Sequence, residues 1–320
     1  MRFLDRDSYQ NNFLFLSGNI WSRFTEAMKE AFFPTRCLVC GSFFRNSRQK
    51  NRSLKTFVQI LNSWEKGSFD LKIFFQKHDL TREHAEECLG MGAKAFVALM
   101  SPFICENCAG TYLAFESPIC SICGAVFKSR EGEDHHCGEC LNDSKRFRMA
   151  RSAGVYDNVL MAAIHCLKYK EKIQLARPLG VLLFMVFFRY WNMANINLIV
   201  PVPLHKRKLR SRGFNPSFFL VKEWTLIAKA LNRALPAIPV AADILVRKRW
   251  TKSQTGLGRK ERLQNIKNAF DVSDSSKVKR KNILLVDDVY TTGATSNECA
   301  KVLMRAGAAR VDVLTLARAM

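Results

Sequence analysis

The fold is decided by residues 282–295, which have the sequence NILLVDDVYTTGAT. The apolar run 283–286 predicts a buried parallel strand, and the periodic pattern over about 294–306 predicts the helix that follows it. A second apolar run, roughly 311–317, predicts another strand after that helix. We therefore expect a strand–helix–strand unit with a right-handed crossover in a parallel α/β sheet.

Two carboxylates, Asp287 and Asp288, come directly after the first of these strands. Ligands of open α/β sheets bind beyond the carboxyl ends of the strands. Ionised carboxylates only accept hydrogen bonds, which suits the vicinal diol of a ribose, and they can share a magnesium ion with a ligand. We predict that Asp287 and Asp288 are catalytic residues. An isolated Asp-Asp pair after a strand is also typical of a plain metal site.

The turn after the carboxylates favours a negatively charged group, whereas the carboxylates themselves favour hydroxyl donors or a cation. Small side chains and backbone N–H groups at the start of a helix favour a phosphate, although Thr-Gly-Ala-Thr alone is also typical of a helix cap. A diol site joined to a phosphate loop predicts a ribose 5-phosphate, whereas G-x-G-x-x-G and the Walker lysine pattern are both missing from this segment. The predicted ligand-binding residues of the turn are Val289, Tyr290, Thr291, Thr292, Gly293, Ala294 and Thr295.

The whole string 286–295 resembles the phosphoribosyl pyrophosphate (PRPP) motif of type I phosphoribosyltransferases. That resemblance implies binding of PRPP together with magnesium. Such transferases act mainly through electrostatics and positioning, so that no covalent nucleophile is required.

Eight of the 11 cysteines form four C-x-x-C pairs, a spacing that predicts two zinc ions, each held by four thiolates. Disulfides and an iron–sulfur cluster are the alternatives. The simplest scheme joins the first two pairs at one zinc and the last two at the other, but interleaved pairing stays open, and His135 or His136 could replace a ligand. The pairs are Cys37 with Cys40, Cys105 with Cys108, Cys120 with Cys123, and Cys137 with Cys140.

Four thiolates leave zinc no open coordination position, so we expect both ions to be structural. Substituting Cys105→Ser or Cys120→Ser is then expected to lower stability without directly changing PRPP affinity.

The cysteine block divides the chain into three predicted parts. These are an N-terminal helical segment (1–36), a double zinc ribbon (37–145) with a helical insertion at about 44–104, and a phosphoribosyltransferase-like α/β domain (146–320). The pattern of the opening segment predicts an amphipathic helix, with membrane anchoring as the less favoured alternative. The most apolar stretch, 179–191, predicts a buried helix and no membrane span. Charges among the first residues argue against a signal peptide, and we expect a cytoplasmic protein.

The net charge of +22 predicts attraction to polyanions, including nucleic acids and phosphorylated substrates. Basic residues cluster at 205–212, 247–249, 259–262 and 277–281. Such clusters are often only solvated surfaces, but next to zinc ribbons they make contacts with DNA a reasonable expectation.

Further motifs occur in the order typical of the ComF/GntX family of competence-associated proteins, which this chain closely resembles. They are Ile164-His165-Cys166-Leu167-Lys168-Tyr169-Lys170, then Val200-Pro201-Val202-Pro203-Leu204, Arg212-Gly213-Phe214-Asn215, the four cysteine pairs and the motif 286–295. The resemblance implies a type I phosphoribosyltransferase fold of parallel strands flanked by helices, behind a double zinc ribbon. It also implies an association with DNA uptake during natural transformation.

In transferases of this fold a loop after an early strand holds pyrophosphate, and here that loop follows Val200. The cations that the resemblance places near it are Lys206, Arg207, Arg210 and Arg212, with Lys168 and Lys170 as a second pair. Residues 251–265 are either a mobile hood over the ligand or a contact for DNA.

Two hypotheses follow. The first is a transferase that moves the phosphoribosyl group of PRPP to an acceptor that the sequence does not identify. The second is a competence factor that binds single-stranded DNA and keeps the PRPP site as a sensor or scaffold. A DNA-uptake helicase of the competence machinery is a further candidate partner by resemblance.

Overall fold

The computed structural model describes residues 35–44, 92–127, 129, 131–231, 238–251 and 258–320. The expected N-terminal helix and most of the expected helical insertion lie outside the described residues, as do residues 252–257 of the expected hood. The domain boundaries at 37, 145 and 146 stay a prediction.

One or more helices separate most of the described strands along the α/β part of the chain. The strands are β1 Thr35–Arg36, β2 Phe43–Phe44, β3 Ala150–Val155, β4 Leu198–Pro201, β5 Leu245–Arg247, β6 Phe270–Val272, β7 Asn282–Tyr290 and β8 Arg310–Arg318. The helices are α1 (92–100), α2 Glu106–Ala109, α3 Gly138–Asn142, α4 Asn158–Tyr169, α5 Ala176–Tyr190, α6 Lys206–Arg212, α7 Pro216–Val221, α8 Trp224–Leu231, α9 Arg259–Ile266 and α10 Ala294–Arg305.

A four-stranded parallel sheet forms the centre of the molecule, in the order β3-β8-β7-β4. Its two middle strands, β7 and β8, are buried along most of their length, because both faces of a parallel sheet are covered. The predicted strand–helix–strand unit is β7, α10 and β8. The expected α/β architecture with a parallel sheet flanked by helices is confirmed.

Strand β7 is longer than the sequence pattern predicted, and this changes where the carboxylates lie. Its pairing with β8 continues to Tyr290, whereas β4 ends at Pro201 opposite Val286. Asp287 and Asp288 therefore belong to the strand itself and have a neighbouring strand on one side only. The space on the β4 side is open to residues from the loop and helix that follow β4.

Helix α5 is the long apolar helix expected at about 179–191. It packs against β3, β8 and α7, and its buried side chains include Leu179, Leu183 and Phe187. The stretch Ile173–Tyr190 is long and apolar enough to cross a bilayer, and no other described helix meets that test. Because its apolar side chains fill the core against the sheet, the expectation of a buried helix fits these contacts.

The cysteine-rich segments are joined to the edge strand β3 by backbone hydrogen bonds. Ala150 N donates to Ile122 O over 2.7 Å, and Val155 N donates to Leu113 O over 2.9 Å. Gly124 approaches so closely that a Cβ there would lie 2.7 Å from Ala150 O. The ribbon segments and the sheet are therefore packed directly against each other.

A second, antiparallel pair, β5 and β6, lies beside the sheet. The 22 residues between Arg247 and Phe270, which are register partners, form an excursion that contains α9. The whole of the expected hood, 251–265, lies in this excursion, and its described part includes most of α9.

Candidate functional site

Two carboxylates and a serine form the centre of the candidate site. Ser217, at the start of α7, donates its hydroxyl to Asp287 Oδ1 over 3.0 Å. The same oxygen accepts the backbone N–H of Asp288 at 2.9 Å. Asn215 orients this turn, because its side chain accepts from Ser217 N at 3.1 Å and donates to Val202 O at 3.0 Å. The segment between β4 and α7 thus places a buried hydroxyl against Asp287.

Asp287 has an unusual proton affinity. Burial raises the pKa of Asp287 from 3.8 to about 7, and repulsion by the adjacent Asp288 acts in the same direction. The charge of Lys168 and the hydrogen bonds from Asp288 N and Ser217 reduce that shift. Asp287 can therefore gain or lose a proton near neutral pH, as is common for residues of functional sites.

Lys168, at the end of α4, reaches the second carboxylate. Its Nζ donates to Asp288 Oδ1 at 2.7 Å, and both side chains are largely buried. Burial acts to lower the pKa of Lys168, but the carboxylate of Asp288 outweighs it and raises the pKa above its ordinary value. One of the two carboxylates is therefore neutralised by a charged lysine, and the structure brings this predicted cation to Asp287 and Asp288.

The predicted phosphate loop begins α10. Gly293 precedes the helix with φ of 74°, a left-handed conformation that glycine adopts without strain. A Cβ at Gly293 would lie 2.2 Å from the Tyr290 hydroxyl, so only glycine fits between the loop and this ring. Thr292 Oγ1 accepts from Ala294 N at 3.4 Å. The first turn of a 12-residue helix thus opens close to the carboxylates of β7.

The basic segment after β4 forms helix α6, where the sequence-based expectation was a loop. His205 caps it, accepting from Arg207 N at 3.2 Å, and Gly213 ends it with φ of 79°. The predicted cations Lys206, Arg207 and Arg210 are exposed, whereas Arg212 is half-buried.

Lys208, which the sequence analysis did not single out, is half-buried on α6. Burial lowers the pKa of Lys208, and the charges of Arg212 and Lys168 act in the same direction. Lys208 and Arg212 are one helical turn apart, so they share a face of α6, and Lys208 is near enough to Lys168 and Asp288 for their charges to affect its pKa. Helical spacing in the sequence could have identified Lys208 had the segment been assigned to a helix.

Arg247, at the end of β5, is a second cation that sequence reasoning did not assign to the site. Burial lowers its pKa, and the negative charge of Asp287 acts against this shift. Arg247 donates to the hydroxyl of Thr251, and its buried Nε has no hydrogen-bond partner in the described part of the chain. No signal in the sequence marks it beyond membership of the basic run 247–249.

The eight paired cysteines form two groups of four, each with ligand atoms within 4.8 Å of one another. The grouping follows the simplest scheme, with Cys37, Cys40, Cys105 and Cys108 in cluster 1 and Cys120, Cys123, Cys137 and Cys140 in cluster 2. None of the described cysteines is in a disulfide. His135 and His136 belong to neither group, and the His135 ring stacks on Phe127.

The geometry of both clusters fits zinc. Cys40 Sγ lies 3.8 Å from Cys105 Sγ, and Cys123 Sγ lies 3.7 Å from Cys137 Sγ. Two sulfurs of a tetrahedral site with zinc–sulfur bonds of about 2.3 Å are about 3.8 Å apart. Backbone N–H groups point at Cys37 Sγ and Cys120 Sγ over 3.4 Å, which stabilises thiolates. The donor sets can therefore hold the two metal ions that the cysteine spacing predicted.

Comparison with known proteins supports the phosphoribosyltransferase-like fold and the resemblance to the ComF family. The family described as "Phosphoribosyl transferase domain" matches residues 225–320. Competence protein F of Haemophilus influenzae is 32% identical over 231 residues, which cover 68% of this chain and 97% of that protein. DNA utilization protein YhgH of Escherichia coli (strain K12) is 30% identical over 236 residues, covering 69% of this chain and 100% of that protein. Competence protein ComFC of Bacillus subtilis is 27% identical and covers 67% and 84%.

Among solved structures, the allosteric regulatory enzyme of purine biosynthesis is similar with a TM-score of 0.28 and 17% identity, over 44% of this chain and 26% of that chain. A similarity this weak carries no argument about function. The sequence relatives are much more informative, because this chain covers nearly the whole of Competence protein F and all of YhgH. The chain belongs to the family of Competence protein F, the ComF family.

Proposed function

We propose that this chain binds PRPP with magnesium at the end of β7 and acts on its phosphoribosyl group. The observation that carries the proposal is the junction of two carboxylates in β7 with a glycine-dependent loop at the start of α10. Lys168 of α4 contacts Asp288, and the charge of Asp288 also acts on Lys208 of α6, so cations of both helices are near these carboxylates. PRPP has three groups that match these protein groups. Its diol matches the carboxylate acceptors, its 5-phosphate matches the loop, and its pyrophosphate matches the cations.

Each group has a distinct task in this proposal. Asp287 and Asp288 accept hydrogen bonds from the ribose hydroxyls, and the loop 291–295 surrounds the 5-phosphate with N–H groups. Lys208 and Arg212 face the pyrophosphate, with Lys206 and Arg207 at the solvent side. Magnesium, when bound, supplies positive charge that the pyrophosphate shares with the carboxylates. As the bond from C1 to pyrophosphate breaks, the cations stabilise the leaving group and an acceptor forms the new bond to C1.

The names of the relatives suggest the setting. Two of them are called competence proteins and the third a DNA utilization protein. We propose that this chain likewise has a role in handling DNA during natural transformation. We expect it to act in the cytoplasm, with a DNA-uptake helicase as a candidate partner.

The proposal is tested by calorimetric titration of PRPP and magnesium into the intact chain and into an Asp287→Asn, Asp288→Asn double variant. We expect binding to the unaltered chain and at least a hundredfold loss of affinity in the variant, since removal of two charge-assisted hydrogen-bond sites costs about 3 kcal/mol or more. Asp243→Asn is the control, because it removes a carboxylate that is exposed and pairs with Lys277. Absence of PRPP binding by the unaltered chain would contradict the proposal.

A second candidate function is binding of single-stranded DNA, favoured by two exposed aromatic side chains beside α6. Tyr169 is 60% exposed, and the Arg212 guanidinium carbon lies 5.0 Å from its ring centroid. Trp250 is 47% exposed, and the guanidinium carbon of Arg207 lies 6.0 Å from the centroid of its ring. Bases stack on such rings while cations follow the phosphates, without need of a defined sequence.

Fluorescence anisotropy with a labelled oligothymidylate tests this candidate. We expect Trp250→Ala and Tyr169→Ala each to weaken binding about fivefold or more, because base stacking on an aromatic contributes about 1–3 kcal/mol. Phe43→Ala is a matched control, since Phe43 is 57% exposed and lies under Arg36 in the β1–β2 pair. Equal losses in all three variants, or no binding at low salt, would contradict a stacking site beside α6.

A further inference from the structure

Arg318, the last residue of β8, connects cluster 2 with the candidate phosphate loop. The residue is only 8% exposed. Its Nη1 donates to Cys123 O over 2.8 Å, and its Nη2 lies 3.5 Å from Cys123 Sγ. A guanidinium at this distance from a metal-ligating sulfur offsets part of the charge of four thiolates, which exceeds that of zinc by two.

The same guanidinium contacts the residue that supports the loop. Its central carbon lies 4.4 Å from the centroid of the Tyr290 ring, within the range of a cation–π interaction. Tyr290 and Arg318 are also register partners at the ends of β7 and β8. The Phe147 ring packs edge-on against Tyr290, and both rings belong to the core group that includes Cys120, Cys123 and Cys140. The ring is thus fixed between the cluster 2 segment and the sheet.

Tyr290 in turn sets the position of Gly293. The ring hydroxyl lies where a Cβ of Gly293 would be, at 2.2 Å from its ideal position. Tyr290 is buried, so the loop at Gly293 rests against a ring that belongs to the core. A continuous set of contacts therefore runs from Cys123 through Arg318 and Tyr290 to Gly293, and these residues form what we call the cluster 2 relay.

We propose that Arg318 is a positioning residue through which zinc in cluster 2 fixes the phosphate loop, so that loading of this cluster raises the affinity for the 5-phosphate of the sugar. The inference rests on the proposed function of the loop. It differs from the expectation that zinc has no direct effect on PRPP affinity. Cluster 1 has no such contact with the loop among the described residues, and its zinc is expected to act on stability alone.

Arg151 offers a matched comparison. It is 7% exposed, and its guanidinium also donates to the cluster 2 segment, to Ser121 O at 3.1 Å and to Cys120 O at 3.4 Å. Its aromatic contact is with Tyr190, at 5.1 Å, and not with the loop. Both arginines therefore hold cluster 2, and only Arg318 also reaches Tyr290.

The test compares Arg318→Lys with Arg151→Lys in the intact zinc-loaded chain. Lysine keeps the charge but loses the planar fork that both contacts use. For Arg318→Lys we expect about tenfold weaker binding of ribose 5-phosphate and of PRPP with magnesium, with pyrophosphate binding unchanged and two zinc ions retained. We expect both substitutions to lower the melting temperature by a similar amount, because both arginines hold cluster 2. For Arg151→Lys we expect unchanged ligand binding.

A second variant interrupts the relay elsewhere. Tyr290→Leu leaves Arg318 bonded to Cys123 but removes the ring, and the same selective loss of ribose 5-phosphate affinity is expected with zinc content unchanged. Equal ligand affinities in Arg318→Lys, Tyr290→Leu and Arg151→Lys would overturn the inference while leaving the proposed function intact. If the unaltered chain binds neither ribose 5-phosphate nor PRPP, the proposed function and the inference are overturned together.

Discussion

Asp287 shows how a single residue combines the fold with the chemistry of the site. It lies on a strand that must be buried, yet it is a carboxylate beside a second carboxylate. Ser217 and the backbone N–H of Asp288 partly compensate for this burial, and Lys168 neutralises Asp288. The result is a carboxyl group with a pKa of about 7, so the proposed ligand binding is expected to depend on pH near neutrality.

We predict that PRPP with magnesium binds about tenfold more tightly at pH 8 than at pH 6, since the ionised form of Asp287 is the one that accepts from the diol or shares the metal. Calorimetry in buffers of different ionisation enthalpy should also show release of a proton on binding at pH 6. The ligand has titrations of its own, so the control is Asp287→Asn. A pH dependence of the same size in that variant would contradict the assignment to Asp287.

The same residue is expected to affect stability in the opposite direction. The folded-state pKa of about 7 lies above the ordinary value of 3.8, so the contribution of Asp287 is fully present below about pH 4 and is lost as pH rises through 7. The free energy of unfolding from urea titrations should therefore fall less between pH 5 and pH 8 in Asp287→Asn than in the unaltered chain. An identical decrease in both would contradict the raised pKa.

At the scale of elements, the start of α10 depends on one glycine. Gly293 combines a left-handed φ of 74° with contact against the Tyr290 ring. Any other residue at this position would strain the backbone because of the left-handed φ, and its Cβ would also clash with the Tyr290 ring. Two substitutions separate these effects.

We predict that Gly293→Ala abolishes PRPP binding and lowers the free energy of unfolding by about 2 kcal/mol or more. Left-handed strain accounts for about 1 kcal/mol, and displacement of a packed ring adds to it. Gly41→Ala is the matched control, since Gly41 has φ of 73° with nothing within 4 Å of its Cβ. We expect Gly41→Ala to lower the free energy of unfolding only by the backbone strain, about 1 kcal/mol, and to leave PRPP binding unchanged. Equal effects of the two substitutions, measured by urea unfolding and calorimetry, would show that the contact with Tyr290 is unimportant.

At the scale of the whole molecule, the cysteine clusters are part of the core and not an appended module. Cys37 packs with the helices that cover one face of the sheet, and three cysteines of cluster 2 pack with residues that cover the other. Backbone bonds from the same segments complete the free edge of β3. Loss of the metals is therefore expected to weaken the sheet as well as the ribbons.

We predict two zinc ions per chain, whose removal by a strong chelator lowers the melting temperature in one cooperative transition. At free zinc 1,000-fold above Kd, binding stabilises the folded state by about 4 kcal/mol per site. Metal analysis with calorimetric scanning measures both quantities, and zinc but not magnesium should restore the transition. Retention of the original melting temperature in the metal-free chain would contradict a structural role.

Much of the fold could be predicted because local pattern and chemistry agree along the chain. The apolar runs of β7 and β8 are long enough to be recognised as buried strands, and C-x-x-C pairs have few other uses. The ends of elements were harder. The extension of β7 to Tyr290 depends on its pairing with β8, which no local pattern encodes.

The sequence by itself determined the parallel α/β unit, the two carboxylates before the candidate phosphate loop, and the four cysteine pairs, because each depends on residues that are neighbours along the chain. The grouping of the cysteines, the cations Lys208 and Arg247, the hydroxyl of Ser217 and the relay through Arg318 were decided only by tertiary structure. Arg318 is 195 residues from Cys123 in sequence and 2.8 Å from its carbonyl in space. Contacts over such separations are set by how the sheet and ribbons pack, and packing is a property of the folded chain as a whole.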